Sequence, residues 1–333
     1  MADQATTLLY AVGDVGILRP EPETIFAKVL PVLEEADILF GNLESAPSEK
    51  GSVVTRNASV RAPKNSLKAI VSAGFNVMSV ANNHFMDHGV EAMQECLQAL
   101  RDAGIAYAGA GMNVYEALRP AFVEHNGTRI AFIACNYFFP NLWSISGAAK
   151  GRPGVAPIYT EAELDPPHVY LPHLEAVKAE VVKAKAEADL VVVSTHGGLS
   201  WVQAVVTYQK AINRALIDAG ADLVLGHHPH ILQAIEVYKG KVICYSLAEF
   251  GLELPLPINL EPQSIMLKVE IRDKAISRVA FLPVYMDPQR TPEFKSLQTP
   301  EGLEIANMML DLSGEFGTKL TFLEKEVLVW PVQ

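Results

Sequence analysis

The sequence predicts an α/β fold, one domain of two packed sheets with helices outside them. Five short apolar runs each stop at a residue able to bind a metal: LLYAV before Gly13-Asp14, DILF before Gly41-Asn42-Leu43-Glu44, VMSV before Asn82-Asn83-His84, LVVV before Ser194-Thr195-His196, and DLVL before Gly226-His227-His228-Pro229-His230. Such runs read as buried strands followed at once by polar loops. Strand-like and helix-like segments alternate through the first third, which argues for a parallel sheet built from right-handed crossovers. Two hairpin signals then argue for antiparallel additions, so the sheets are expected to be mixed.

Helices are expected from about Glu23 to Glu35, near Asn65 to Ala73, and from Val90 to Ala103, the last ending at Gly104. AFVEH and TRIAFIA flank Asn126-Gly127, the strongest two-residue hairpin signal in the chain. Residues 137–175 read as an irregular loop or lid carrying Tyr137, Phe138, Phe139, Trp143 and Tyr159. A helix rich in Ala, Glu, Lys and Val precedes DLVVVSTH, another runs from Tyr208 to Ala219, and LQAIEVY and KVICYSL form a hairpin around Lys239-Gly240. IMLKVEI and ISRVAFLPVYM add two strands, and 300–333 reads as an amphipathic helix and a final strand. No composition break marks a linker, so 1–333 is expected to be a single domain with its core in 6–290.

Half of the 333 residues are apolar, enough for a sizeable core. The formal charge of -11 opposes nucleic acid and anionic membrane surfaces, both of which need a basic face. The N-terminal MADQATTLLYAV is acidic where a signal peptide is basic, and its apolar stretch is short, so a cytoplasmic protein without membrane insertion is expected. Cys96, Cys135 and Cys244 are far apart in apolar surroundings and read as reduced core thiols. The oligomeric state leaves no signature in the sequence.

In open α/β sheets ligands collect outside the carboxyl ends of the strands, so the five strand ends describe one pocket. Of nine histidines, six (His84, His88, His196, His227, His228, His230) lie in three of those loops. Imidazole with carboxylate suits zinc, iron or manganese and points to a hydrolytic metal site. His228 and His230, two apart, would share a face of an extended segment stiffened by Pro229, with Gly226 allowing a tight turn out of the strand. Gly197-Gly198 would let a ligand or substrate approach the backbone after His196. Asp14 and Glu44 are ligand candidates that also suit turns and caps, and either Asn82 or Asn83 offers a carbonyl oxygen. His84 is the candidate general acid, oriented by Asp87 or Glu253, while Asp87 also suits a cap for the helix near Val90; His88 reads as structural. Arg56 and Arg61, with Lys64 close by, and the strand-end residues Asn42 and His227 are the residues expected against an anionic substrate.

These residues resemble a known family. GD at 13–14, GNLE at 41–44, ANNHFMDHG at 81–89, GAGMN at 109–113, the histidine at 196, GHHPH at 226–230 and YSLAEF at 245–250 are similar to the CapA-type capsule (poly-gamma-glutamate) synthesis proteins, which look like a branch of the calcineurin-like metallophosphoesterases. The resemblance implies a four-layer α/β/β/α sandwich of two mixed sheets. It implies Asn83, His196 and His228 on one ion, Asp14 and His230 on another, and His84 as general acid. The superfamily's Asp-x-His motif has Gly16 in place of histidine here, and its bridging Asp is replaced by Asn42, leaving Glu44 as the nearby carboxylate. One or two divalent ions (Mn, Fe or Zn) are therefore implied. Ala248-Glu249 stands where the family has Gly-Asn, and Gly197 where it has Trp.

The expected activity is metal-dependent hydrolysis, with an activated water attacking a phosphoester or gamma-glutamyl amide and His84 protonating the leaving group. Two other roles fit the same residues: a non-catalytic assembly protein binding an anionic, polyglutamate-like chain, and a ligation that joins glutamyl groups.

Overall fold

The computed structural model describes residues 6–54, 59–138, 146–161, 168–253 and 261–331. Among these residues two large mixed sheets form an α/β fold. The first runs in the order Thr321–Phe322, Val327–Trp330, Ala275–Met286, Gln263–Arg272, Thr7–Gly16, Ile38–Leu43, Val77–Ser79, Ala106–Ala108. Glu249–Leu252 also pairs with Thr7–Gly16, and Pro292–Phe294 with Ala275–Met286. The second runs His168–Val169, Pro157–Glu161, Thr128–Phe138, Leu190–His196, Leu223–His227, Lys241–Cys244, Ile235–Tyr238, with Ala121–His125 pairing to Thr128–Phe138.

Alternation along the strands divides the apolar residues among separate cores. Leu9 and Ala11 of the first sheet join Phe132, Val192 and Leu225 of the second in one core, with Phe40 and Phe132 stacked at 5.7 Å between ring centroids. Tyr10 and Val12, which point the other way, pack with Ile70, Met93 and Leu97 from helices outside the first sheet. Val191 and Val193 do the same with Val177, Val181 and Ile212 outside the second. The parallel strands are thus buried on both faces, which is why they read as unbroken apolar runs.

Most predicted elements are present. The Asn126-Gly127 turn has both residues at positive φ, 48° and 71°, the geometry a two-residue hairpin requires, and Lys239-Gly240 repeats it at 51° and 74°. Gly89–Asp102, Leu171–Glu187, Thr207–Asp218 and Pro300–Gly314 are helices. The helix expected over 23–35 is instead a 3₁₀ turn, Pro22–Phe26, and a separate short helix, Leu30–Leu33. Pro31 explains the break, because it lacks an N–H and is tolerated only where a helix starts. The stretch near 65–73 likewise divides into Lys64–Ser66 and Leu67–Ser72.

The segment 137–175, expected to be an irregular loop or lid, carries strands in its described part: Gly154–Val155, Pro157–Glu161 and His168–Val169. Tyr137 is buried and donates its hydroxyl to Asn213 Oδ1, so it supports the core and forms no substrate wall. Phe139 and Trp143 lie outside the described residues. The three cysteines are buried free thiols. Among the described residues no helix is long and apolar enough to cross a membrane.

Candidate metal centre

The strand registers bring the site to one level. Asp14 pairs with Asn42 on one side and Glu249 on the other, and His196 pairs with His227 in the second sheet. Gly13 allows the closest of these approaches, since a Cβ there would meet Ala248 O at 2.0 Å.

His196 Nε2 is the hub. It lies 2.7 Å from Asn83 Oδ1, 3.2 Å from His228 Nδ1 and 3.6 Å from Glu44 Oε1. The 2.7 Å contact is a hydrogen bond, while the 3.2 and 3.6 Å separations are close to the about 3.4 Å between two ligands of one tetrahedral ion at about 2.1 Å each, a spacing that would suit a shared cation. Asp14 belongs with them, its carboxylate clustering with Glu44 and His196 within 4.8 Å. Among the described residues Glu44 Oε1 is fully buried and makes no hydrogen bond. A buried carboxylate oxygen of that kind is costly unless a cation faces it. The donor set, mixed nitrogen and oxygen, fits manganese, iron or zinc.

Asn42 sets the orientation of both carboxylates. Its Nδ2 lies 2.9 Å from Asp14 Oδ1 and 2.7 Å from Glu44 Oε2, which leaves Asp14 Oδ2 and Glu44 Oε1 facing the centre. Its Oδ1 accepts from Asn82 Nδ2 at 3.2 Å, and Asn82 also bonds Leu43 O and the His84 N–H. Of the two neighbouring asparagines, Asn82 is therefore a structural brace and Asn83 presents its oxygen to His196.

Electrostatics favour neutral imidazoles. Burial lowers His196 well below its ordinary value, with the nearby His228 ring adding to the effect. Burial brings His228 down to about 3 and His230 to about 4. Burial alone would raise Asp14, but the imidazoles around it, His227 first and then His196 and His230, hold it below the carboxylate range. Glu44 is pushed well above that range by burial and by the Asp14 charge. An added cation opposes both effects on Glu44.

His228 and His230 do not share a face of an extended segment, because His228 has φ 97° and His230 φ 60°. The left-handed turn points the His228 N–H at Asp14 Oδ2, 3.2 Å away. Ser200 Oγ holds His228 Nε2 at 3.2 Å, leaving Nδ1 for the centre. Gly226 stays within its strand; its need for glycine is the approach of Tyr245 O, 2.1 Å from where a Cβ would sit. The space beside Gly197 holds the Tyr137 ring, so it offers no approach for a substrate.

His84 Nδ1 lies 2.7 Å from Asp87 Oδ2, and Asp87 also accepts the Val60 N–H. Asp87 thus orients His84 and does not cap the following helix, whose N-cap is His88. Glu253 is elsewhere, bound to the Leu18 and Arg19 N–H groups and to Arg19 Nε. His88 is buried with Nε2 3.3 Å from Ser59 Oγ, a structural position.

Asn42 and His227, expected against substrate, are completely buried. His227 Nδ1 lies 3.3 Å from Asp14 Oδ1 and its ring packs near Phe40. Arg61 spends its guanidinium on the carbonyls of Ser48, Lys50 and Gly51, Lys64 pairs with Glu95, and Arg56 lies outside the described residues. The arginine that reaches the site is Arg290, paired with Glu249. Sequence reasoning missed this pair, although Glu249 follows the apolar KVICYSL run as the other ligands follow theirs. A groove of about 890 Å³ is lined by Trp201, Val202, Ile231, Leu232 and Met308, and of these Trp201 comes within 6.0 Å of His230 between ring centroids.

Residues 9–252 match the family model described as bacterial capsule synthesis protein PGA_cap. The chain is 33% identical over 232 residues to a capsule biosynthesis protein CapA of Bacillus anthracis, covering 68% of this chain and 53% of that one. It is 32% identical over 235 residues to a PGA biosynthesis protein CapA of Bacillus subtilis, covering 68% and 56%. A probable polyglutamine synthesis accessory protein of Mycobacterium tuberculosis is 31% identical over 231 residues, 67% of this chain and 58% of that one. The chain thus spans little more than half the length of these curated relatives. A hypothetical protein of Thermus thermophilus shares the fold at a TM-score of 0.50 and 15% identity, over 83% of this chain and 98% of that one.

Proposed function

The chain belongs to the bacterial capsule synthesis (PGA_cap) family, and from that premise we propose that it is a metal-dependent hydrolase with a metallophosphoesterase-like four-layer arrangement. The observation that carries this reading is the convergence of Asn83 Oδ1, His228 Nδ1 and Glu44 Oε1 on His196 Nε2 within 3.6 Å. Asn83, His196 and His228 hydrogen-bond one another, but Glu44 Oε1 beside them makes no hydrogen bond among the described residues, and a cation would supply its missing partner.

Asn83, His196, His228, Glu44 and Asp14 would hold one divalent ion, and Asp14 and His230 face a second position. A divalent ion held there supplies positive charge that polarises the scissile group and acidifies a water. The protein's own contribution is positional. Asn42 aims the carboxylates, Ser200 fixes His228, and Asp87 holds His84 through Nδ1 so that Nε2 exchanges the proton. His84 is only slightly exposed, at 11% of its side chain, and delivers that proton to the leaving group. The Trp201 groove accommodates substrate beyond the reacting bond, and the Trp201 ring centroid lies 6.0 Å from that of His230.

Phosphoester or gamma-glutamyl amide is the proposed substrate class, the second following the resemblance of the sequence motifs to poly-gamma-glutamate synthesis proteins. Assay of both bond types with manganese- or zinc-loaded protein tests the reading, which predicts turnover of one of them; turnover of neither would overturn it. A second reading, a non-catalytic role in polymer synthesis binding an anionic polyglutamate-like chain, is favoured by the accessory designation of the mycobacterial relative. It predicts a full metal complement or none, without turnover of either bond.

A further inference from the structure

The strand ends hold one more carboxylate than the ligand set above uses. Glu249 opens the Glu249–Leu252 strand and stands opposite Asp14 in parallel register. The Asp14 N–H donates to Ala248 O at 3.0 Å, so the two residues are fixed side by side. Glu249 is 1% exposed. Its Oε2 takes the guanidinium of Arg290, which settles the orientation of the carboxylate. Its Oε1 makes no hydrogen bond among the described residues, and neither does His230 Nδ1, which is also buried.

These two atoms face each other at 3.5 Å, and His230 Nδ1 lies 3.6 Å from Asp14 Oδ2. Hydrogen bonds from imidazole to carboxylate close to about 2.7–3.2 Å, so the ring bridges neither oxygen. Donors sharing one ion stand about 3.4 Å apart, which is close to the spacing found. A buried oxygen and a buried nitrogen, 3.5 Å apart and both without hydrogen bonds among the described residues, are spaced so that one cation could bind both.

We propose that Glu249 is a ligand of a second divalent cation, held together with Asp14 and His230, and that Arg290 positions it by occupying its other oxygen. This rests on the metal reading above and extends it to a residue of this chain. The cation is a borderline or hard one, zinc or manganese, given two carboxylates and one imidazole.

Crystals of the wild-type protein soaked in zinc chloride test this by anomalous diffraction at the zinc edge. The expected result is two peaks, one beside His196 and the other about 2 Å from both Glu249 Oε1 and His230 Nδ1. A single peak beside His196 overturns the inference and leaves the metal reading intact, as do two peaks with the second away from Glu249. No peak overturns both. In solution, elemental analysis of folded Glu249→Gln is expected to show one equivalent fewer than wild type, and equal content overturns the inference. If that variant does not fold, the wild-type diffraction decides alone.

Discussion

Asn42 Nδ2 stands 2.7 Å from Glu44 Oε2, and this hydrogen bond turns the other oxygen of Glu44 toward His196. The asparagine occupying a position where the resemblance expects a carboxylate thereby aims the carboxylate two residues on. Groups that orient a metal's ligands commonly contribute about 10–100-fold in affinity. Asn42→Leu is expected to weaken manganese or zinc binding on that scale, read by calorimetric titration, with the fold retained.

His84 and Asp87 make a separable prediction, because neither belongs to the ligand set. His84→Gln is expected to lower kcat by about 10²-fold or more, the usual contribution of a positioned acid, with metal content unchanged. The loss should shrink for a p-nitrophenyl leaving group, which needs little protonation. Equal losses for good and poor leaving groups would remove His84 from that role.

Acid should destabilise the metal-free protein through its histidines. His228 and His230 titrate at about 3 and about 4 when folded, below the ordinary 6.5. The unfolded chain therefore binds protons first as pH falls, and stability drops from about pH 6.5 down to about 3. Asp14, held below its ordinary value, adds to the loss at the acid end. Glu44 has the opposite sign, since its raised value costs stability as pH rises past 4.5. A bound cation should remove that cost, so the shift in melting temperature on adding manganese should grow between pH 5 and pH 7.

How much of this was legible from sequence depends on distance along the chain. Asp14, Asn83, His196 and His228 announce themselves because buried parallel strands are unbroken apolar runs and the loop residue follows directly. Gly226 after an apolar run predicts a turn residue, yet its constraint comes from Tyr245, just past the neighbouring Lys241–Cys244 strand, which spacing cannot reveal. Arg61 looked available for an anion until the carbonyls of Ser48, Lys50 and Gly51 claimed it. Arg290 reaches Glu249 across 41 residues of chain, and only the folded register brings Glu249 beside Asp14. The interrupted helix at 23–35 was legible in Pro31 itself, which marks the start of the second piece.

Two further substitutions probe the frame and the approach. Gly13→Ala would force a Cβ against Ala248 O, costing about 1–3 kcal/mol of stability as overpacking does and displacing Glu249 from Asp14. Trp201, half exposed beside His230, is expected to act on substrate alone. Trp201→Ala should raise KM about tenfold, equivalent to ~1.4 kcal/mol, with little change in kcat.

The central claim is that the strand-end histidines hold a metal. The most direct measurement is elemental analysis of protein purified without added ions, wild type beside the double variant His196→Ala, His228→Ala. The account predicts one to two equivalents of manganese, iron or zinc in the wild type, with the His196-centred ion lost from the double variant. No metal in the wild type, even after loading with manganese or zinc, would contradict it.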